Sequence, residues 1–163
     1  MALTKVYSKP GHLIRRCQQI AVALFIEEAS ANGFDITPVQ YAALVAIEEN
    51  PGIEATTLSA LLAFDRSTLG DVIERLVGKR LVERAPDPQD RRVKRLTVTA
   101  EGARTAAAIE PAVERAQARI LAPLGAADRK KFLALLAQVV DINNVHSRAP
   151  VRTASASPLQ GRG

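Results

Sequence analysis

Residues 86 to 91 read Pro-Asp-Pro-Gln-Asp-Arg, and no other run constrains the chain as strongly. Prolines at 86 and 88 forbid a helix interior, and the Asp and Gln residues around them favour a turn. Stretches suited to extended backbone lie on either side, Leu81 to Ala85 before the run and Val93 to Val98 after it. In the second stretch Lys94, Leu96 and Val98 alternate with Val93, Arg95 and Thr97, a period of two. The pattern predicts a β-hairpin with the Pro-rich loop at its tip. The flanking sequence is helical in pattern, so the expected fold is mainly α with one small hairpin.

Upstream, Pro10 suits the first position of a helix, and Leu13, Cys17, Ile20 and Leu24 follow at helical spacing, with Ile14, Ala21 and Phe25 widening the stripe. Asn32-Gly33 supplies a stop, and Thr37-Pro38 opens a second helix that runs to about Glu49. Asn50-Pro51-Gly52 reads as a turn, a short helix on Leu58, Leu61 and Leu62 follows, and Ala63 to Ser67 reads as a second turn. From about Arg66 to Lys79, apolar residues Leu69, Val72, Ile73, Leu76 and Val77 fall on one helical face. Arg66, Ser67, Thr68, Gly70, Asp71, Glu74 and Arg75 are left on the other, and Gly78 loosens the end.

Beyond the hairpin, Thr99 is the expected N-cap of another helix, with Glu101 near the positive end of its dipole. Pro111 then implies either one kinked helix or two that abut. After Pro123-Leu124-Gly125 a last helix begins at Asp128, with Phe132, Leu135, Leu136 and Val139 on one face. Residues 145–163, rich in Ser, Pro, Arg and Gly, offer no apolar face and are expected to form a disordered tail.

The 22 Lys and Arg against 17 Asp and Glu give a formal net charge of +5, and that charge is local. Between positions 75 and 95, Arg75, Lys79, Arg80, Arg84, Arg91, Arg92, Lys94 and Arg95 are set against only Glu83, Asp87 and Asp90. Arg148, Arg152 and Arg162 lie in an acid-free C-terminal stretch, which leaves the rest of the chain net acidic. Charge alone fits a solvated face as well as a polyanionic partner at the helix from Arg66 and the hairpin, and the elements that carry it decide between the two. The order helix, helix, short helix, helix, hairpin is a helix-turn-helix followed by a wing. A major groove about 12 Å wide admits the helix from Arg66. The narrow, negative minor groove suits a slender tip carrying Arg91 and Arg92.

Ile36-Thr37-Pro38-Val39-Gln40-Tyr41, Leu58-Ser59, Arg66-Ser67-Thr68-Leu69, Leu76 through Val82 with Arg84, Asp90-Arg91-Arg92 and Leu96 through Gly102 together resemble the MarR family of winged-helix transcription regulators. The resemblance covers residues 10 to 144 in element order. It implies an N-terminal dimerisation helix over residues 1–35, a winged helix-turn-helix domain over 36–99 and C-terminal dimerisation helices over 100–144. The apolar faces of the terminal helices, too extensive for a small winged domain to cover, independently call for pairing across a two-fold axis and a palindromic operator on double-stranded DNA. By the same resemblance Asp90 pairs with a wing arginine, Arg92 reads the minor groove beside Arg91, and Arg66, Ser67, Thr68, Asp71 and Arg75 lie against the major groove. From the residues themselves, Ser67 and Thr68 serve equally as helix caps, while Asp71 and Glu74 either accept from cytosine or align neighbouring arginines.

Members of the family commonly repress genes and release DNA on binding a small anionic, often aromatic, ligand. His12, Arg15 and Arg16 offer cationic and hydrogen-bonding groups for a carboxylate and Tyr41 an aromatic wall. Pairing of the arginines with acids across the dimer, with His12 capping its helix, is the competing reading. The run from Gly11 to Phe25 resembles regulators of aromatic-acid breakdown. Cys17 admits peroxide sensing, as in one branch of the family, but its place on the apolar stripe favours an inert buried thiol.

One cysteine, with His12 and His146 the only histidines, leaves no disulfide framework and no His- or Cys-rich metal centre. Neither a Gly-rich phosphate loop nor a Ser-His-Asp pattern is present, which argues against an enzyme, and no cofactor is expected. No apolar run approaches the roughly 18 residues of a membrane span, so a cytoplasmic protein is expected. The sequence thus reads as a ligand-responsive DNA-binding repressor. A peroxide sensor and a winged-helix protein-interaction module are the alternatives.

Overall fold

The computed structural model describes residues 4–152. Residues 153–163, the greater part of the expected tail, lie outside the described residues. A single turn of helix, α1 (Thr4–Tyr7), precedes α2 (Pro10–Ala31), which starts with its proline in the first turn. Helix α2 stops where expected: Asn32 Nδ2 donates to Glu28 O at 2.7 Å, and Gly33 takes a left-handed φ of +81° that favours a residue without Cβ.

Helix α3 (Pro38–Glu49) opens on a reciprocal capping box. Gln40 N donates to Thr37 Oγ1 at 3.3 Å, and Thr37 N donates to Gln40 Oε1 at 3.2 Å. Two otherwise orphaned amides are thereby satisfied, which lets Gln40 be buried. The Asn-Pro-Gly turn does more than reverse the chain. It leads into β1 (Ile53–Glu54), which pairs antiparallel with the hairpin through Ile53 opposite Leu96 and Glu54 opposite Arg95. A two-residue strand is too short to show a period, so the wing has three strands in the order β1-β3-β2 where the sequence predicts two.

Helices α4 (Ala55–Leu62) and α5 (Arg66–Gly78) are joined by a tight turn with Ala63 left-handed at φ 55°. Leu69, Val72, Ile73 and Leu76 are buried and Val77 half-buried, as the spacing predicts. The end of α5 differs from expectation. Arg80, not Gly78, adopts the positive φ, at 59°. Arg80 N donates to Val77 O and Leu81 N to Leu76 O, both at 2.9 Å, a Schellman closure with Leu81 buried beneath it. The hairpin consists of β2 (Val82–Pro86), shifted one residue later than predicted so that Pro86 belongs to the strand and not to the loop, and β3 (Lys94–Val98), which starts one residue later than predicted, with Val82 opposite Val98 and Pro86 opposite Lys94. Pro86 is tolerated at the end of β2 because that strand is an edge.

Helix α6 (Ala100–Leu121) runs through Pro111 as one element, so the two-helix alternative is not realised. The proline lies exposed, and the carbonyl four residues earlier, at exposed Ala107, has water as an alternative partner. Helix α7 (Ala126–Ile142) begins two residues before Asp128. One apolar core joins the winged unit to α2 and α6, with Phe25 and Ala29 clustered with Leu44, Ile73, Leu96 and Ile109. Ion pairs reinforce the α2–α6 packing, from Arg115 to Glu28 at 3.0 Å and from Arg119 to Glu27 and Glu28 at 3.1 and 2.9 Å.

Residues 145–152, expected to belong to a disordered tail, instead continue the 3-10 turn (Asn144–His146) and fold back on α4. Among the described residues no helix is long and apolar enough to cross a membrane.

Candidate nucleic-acid interface and ligand pocket

Asp65 starts the helix whose outer face carries most of the predicted DNA contacts. Its Oδ1 accepts from Thr68 N at 2.9 Å and Ser67 Oγ at 2.7 Å, and its Oδ2 accepts from Thr68 Oγ1 at 3.0 Å. The Thr68 amide first, then the two hydroxyls, hold the Asp65 carboxyl at about 2, below its ordinary 3.8. Asp65 is therefore the N-cap, which corrects the reading of Ser67 and Thr68 as caps. Both hydroxyls are oriented by the carboxylate and keep acceptor lone pairs free. Arg66, Asp71, Glu74 and Arg75 follow on the exposed face. Beyond them Lys79 Nζ reaches Asp35 Oδ2 at 2.8 Å, and that hydrogen bond is the first cause of the lowered Asp35 pKa.

Glu74 takes the second of its two predicted roles: Glu74 Oε1 lies 2.6 Å from Arg84 Nη2 and ties the polar face of α5 to β2. Gly70, Glu74, Arg84 and Lys94 line one depression, so the polar face of α5 and the base of the wing form a continuous surface.

The wing loop is organised from inside by Asp87. Its Oδ1 accepts from Gln89 N at 2.8 Å and Asp90 N at 3.1 Å, and its Oδ2 from Arg95 Nε at 2.7 Å. The Arg95 bond is the leading reason the Asp87 pKa is lowered. Arg95 also reaches Glu54 Oε1 at 3.2 Å and Gly52 O at 3.3 Å, bracing the loop against β1. The wing arginine that Asp90 meets is Arg92: Arg92 N donates to Asp90 Oδ1 at 3.0 Å, and Arg92 Nε lies 3.5 Å from the same oxygen. The Arg92 side chain remains 93% exposed, and Arg91 beside it is exposed too.

At the other end of the molecule, Tyr7, His12, Arg15, Arg16 and Gln19 line an open pocket of about 560 Å³. The Tyr7 and His12 rings meet edge to face at 5.4 Å, and the Arg16 guanidinium sits 5.9 Å from the Tyr7 ring centre. Arg15 Nη1 donates to Gln19 Oε1 at 2.9 Å. His12 Nε2 is buried with no hydrogen-bond partner. Tyr41, expected as the aromatic wall, does not line this pocket within one chain. Its ring lies 6.0 Å from Phe25, and its hydroxyl donates to Glu110. Burial, then that hydrogen bond, pushes the phenol well above its ordinary value. Within one chain Tyr7 on α1 is the aromatic residue that meets His12 and Arg16.

Cys17 is exposed in the single chain and lines an apolar groove of about 410 Å³ with Leu13, Ile14, Phe132, Leu133 and Leu136. Among the described residues no group of three His, Cys, Asp or Glu side chains gathers as metal ligands.

A model of the MarR family matches residues 34–93, from within the α2–α3 link to the end of the wing loop. The transcriptional regulator HosA of Escherichia coli O111:H- is 31% identical over 134 residues, 82% of this chain and 96% of its own length. The chain belongs to the MarR family. The solved structure of the PcaV regulator of Streptomyces coelicolor in complex with its natural ligand superposes with a TM-score of 0.76 at 34% identity, covering 86% of this chain and 98% of that one. Bordetella bronchiseptica BpsR, whose DNA binding is regulated by 6-hydroxynicotinic acid, superposes at 0.75 with 28% identity, covering 82% and 94%.

This MarR-family chain is a transcriptional regulator and not an enzyme. Sequence reasoning does not single out three of its organising residues: Asp65, Asp87 and Arg95. Asp65 has a signal in its place directly before the amphipathic run. The Asp87–Arg95 pair has none, because it forms only when the hairpin closes. Tyr7 escapes notice because the first seven residues show no period long enough to read.

Proposed function

We propose that this regulator binds a palindromic operator on double-stranded DNA as a homodimer, represses transcription from it, and lets go when a small anionic aromatic acid binds. The Glu74–Arg84 pair carries the DNA part, because it holds the polar face of α5 and the base of the arginine-tipped wing on one surface. One element fits a major groove and the other an adjacent minor groove. Arg66, Ser67, Thr68, Asp71 and Arg75 face the first groove in this reading, and Asp90, Arg91 and Arg92 the second.

Dimerisation is supported by α7, which has no buried residue in its own chain while Leu133, Leu135 and Val140 are about half exposed. Leu13, Ile14 and Ile20 on α2 are equally uncovered. A second copy related by a two-fold axis offers matching apolar faces, and pairing of this kind would enclose Cys17.

The ligand part rests on the pocket at the start of α2. Arg15 and Arg16 suit a carboxylate, the unpartnered His12 Nε2 suits a hydroxyl or carboxylate oxygen, and Tyr7 supplies a ring face. The 6-hydroxynicotinic acid that regulates BpsR belongs to the same chemical class.

Mobility shift with the DNA flanking the gene, against scrambled competitor, tests both parts when repeated with a panel of aromatic acids and with peroxide. The expected result is a specific shift relieved by one acid. Relief by peroxide alone would transfer sensing to Cys17. Absence of any specific shift at low salt would leave a winged helix whose partner is a protein.

A further inference from the structure

We propose that the segment from Asn144 to Arg152 is a basic arm of the DNA interface, laid against the helix-turn-helix so that Arg148 and Arg152 engage backbone phosphates beside the groove occupied by α5. This rests on the DNA-binding reading above and adds two arginines that lie outside both the helix-turn-helix and the wing.

The arm has its own fastenings. Asn144 closes it into a loop: its Nδ2 donates to Val151 O at 3.1 Å, and its Oδ1 accepts from Val151 N at 2.9 Å. Within the loop Ala149 N donates to Ser147 Oγ at 3.2 Å, and Ala149 and Pro150 are half-buried. The loop is tethered to α4 by Arg152 N, which donates to Ala60 O at 3.0 Å. Ala60 lies in the last turn of α4, where the carbonyls have no partner further along the helix, so the tether satisfies a group the helix leaves open. A sequence rich in Ser, Pro and Arg is thereby held at the α4–α5 turn without using its guanidinium groups, which stay available for other work.

Both side chains are exposed on this segment. Arg148 makes only the smallest of the contributions that lower the pKa of Asp65, the residue before α5, and the tether of Arg152 N to Ala60 O is what fixes the segment there. Asp65 does not capture Arg148, because both carboxylate oxygens already accept from Ser67 and Thr68. Among the described residues neither Arg148 nor Arg152 is in an ion pair, and the whole stretch from residue 145 to 163 holds no acid. Arginines without partners, fixed at the entry of a recognition helix, match backbone positioning rather than base reading.

The test is fluorescence anisotropy of full-length protein on its operator and on scrambled duplex across a salt series, comparing the parent with Arg148→Ala/Arg152→Ala and Arg148→Lys/Arg152→Lys. Removing one phosphate-neutralising arginine should flatten the plot of log K against log salt by about 0.9, and removing four from a dimer by about 3.6. The weakening should be the same on both duplexes, and the lysine pair should restore most of the slope. An alanine pair with the parent's affinity and slope overturns the arm. So does weaker binding at unchanged slope, which would make the segment a strut for α4. If the parent itself binds no DNA, the regulator reading falls and the arm with it.

Discussion

Alanine at Gly102 should destabilise this protein although alanine is the better helix former. Gly102 is the third residue of α6, and its amide donates to the capping Thr99 Oγ1 at 2.9 Å. A Cβ placed there would fall inside the van der Waals envelope of the Leu81 carbonyl oxygen, 3.0 Å from the carbonyl carbon and 2.8 Å from Val98 Cγ1. Carbon atoms in contact prefer about 3.5–4.0 Å, so the helix must back away by roughly 0.7 Å or more. The obstacle cannot swing aside. Leu81 O accepts from Thr99 N at 3.0 Å and Thr99 Oγ1 at 3.3 Å, while Leu81 N is held by Leu76 O. Overpacking of this kind costs about 1–3 kcal/mol. Weakening the Thr99 cap adds up to about 1 kcal/mol, and the propensity gain returns a similar amount. The net expectation is a destabilisation of about 1–3 kcal/mol. Gly70→Ala is the matched control, because a Cβ there meets nothing within 4 Å in the middle of α5. It should stabilise by about 0.5–1 kcal/mol. Urea unfolding followed by circular dichroism, at one protein concentration because dimer stability depends on it, measures both. A Gly102→Ala protein as stable as its parent, or two variants shifted in the same direction, would refute the close-approach reasoning.

Asp65→Asn retains a good N-cap but no titrating carboxyl. Because the folded pKa of Asp65 is depressed to about 2, its contribution is complete above 3.8 and fades as pH falls from there toward 2. The variant's Tm should therefore drop less than the parent's over that acidic window, and parallel curves would contradict the cap. Arg92→Ala, at a side chain 93% exposed, should weaken operator binding by about 1–3 kcal/mol with Tm unchanged; full affinity would remove the wing from the interface. Arg95→Ala releases Asp87 and Glu54 together, so amide exchange at Gln89 and Asp90 should accelerate, and unchanged protection would mean the brace is idle. Arg16→Ala should leave operator affinity near the parent's but make it insensitive to aromatic acids, whereas failure to dimerise would favour an ion-pairing role across the two-fold.

The parts legible in the sequence are those set by local rules. Helix α5 is readable because five apolar residues repeat at helical spacing, and its polar face follows by subtraction. The hairpin is readable because Pro86 and Pro88 exclude the alternatives. The capping box of α3 is also local, since Thr37-Pro38 marks the start and Gln40, three residues after Thr37, is the residue type that completes it. Departures from expectation cluster where a short segment takes its conformation from something distant. The two residues of β1 are strand only because Leu96 and Arg95 lie opposite them. Arg80 turns left-handed because burying Leu81 under the end of α5 fixes that geometry.

Tertiary structure also decides which candidate site residues meet. His12, Arg15 and Arg16 stay together because they share a helical turn or two, a relation that spacing alone guarantees. Tyr41 joins them by residue type alone, and packing takes it to Phe25 and Glu110 instead. The electrostatics of the wing divide the same way: a basic tip is a property of composition, but Asp87 organises the loop through Arg95 only once the intervening residues have closed into a hairpin. The Asn144–Arg152 arm is the extreme case. Its sequence contains no apolar stripe and no period, so local rules return a tail, whereas Ala60 on a distant helix offers an unmet carbonyl that gives the segment a place. Periodicity and capping depend on neighbours a few residues away and are present in the sequence; partnerships between distant groups depend on which surfaces the helices bring together, and only the folded chain determines them.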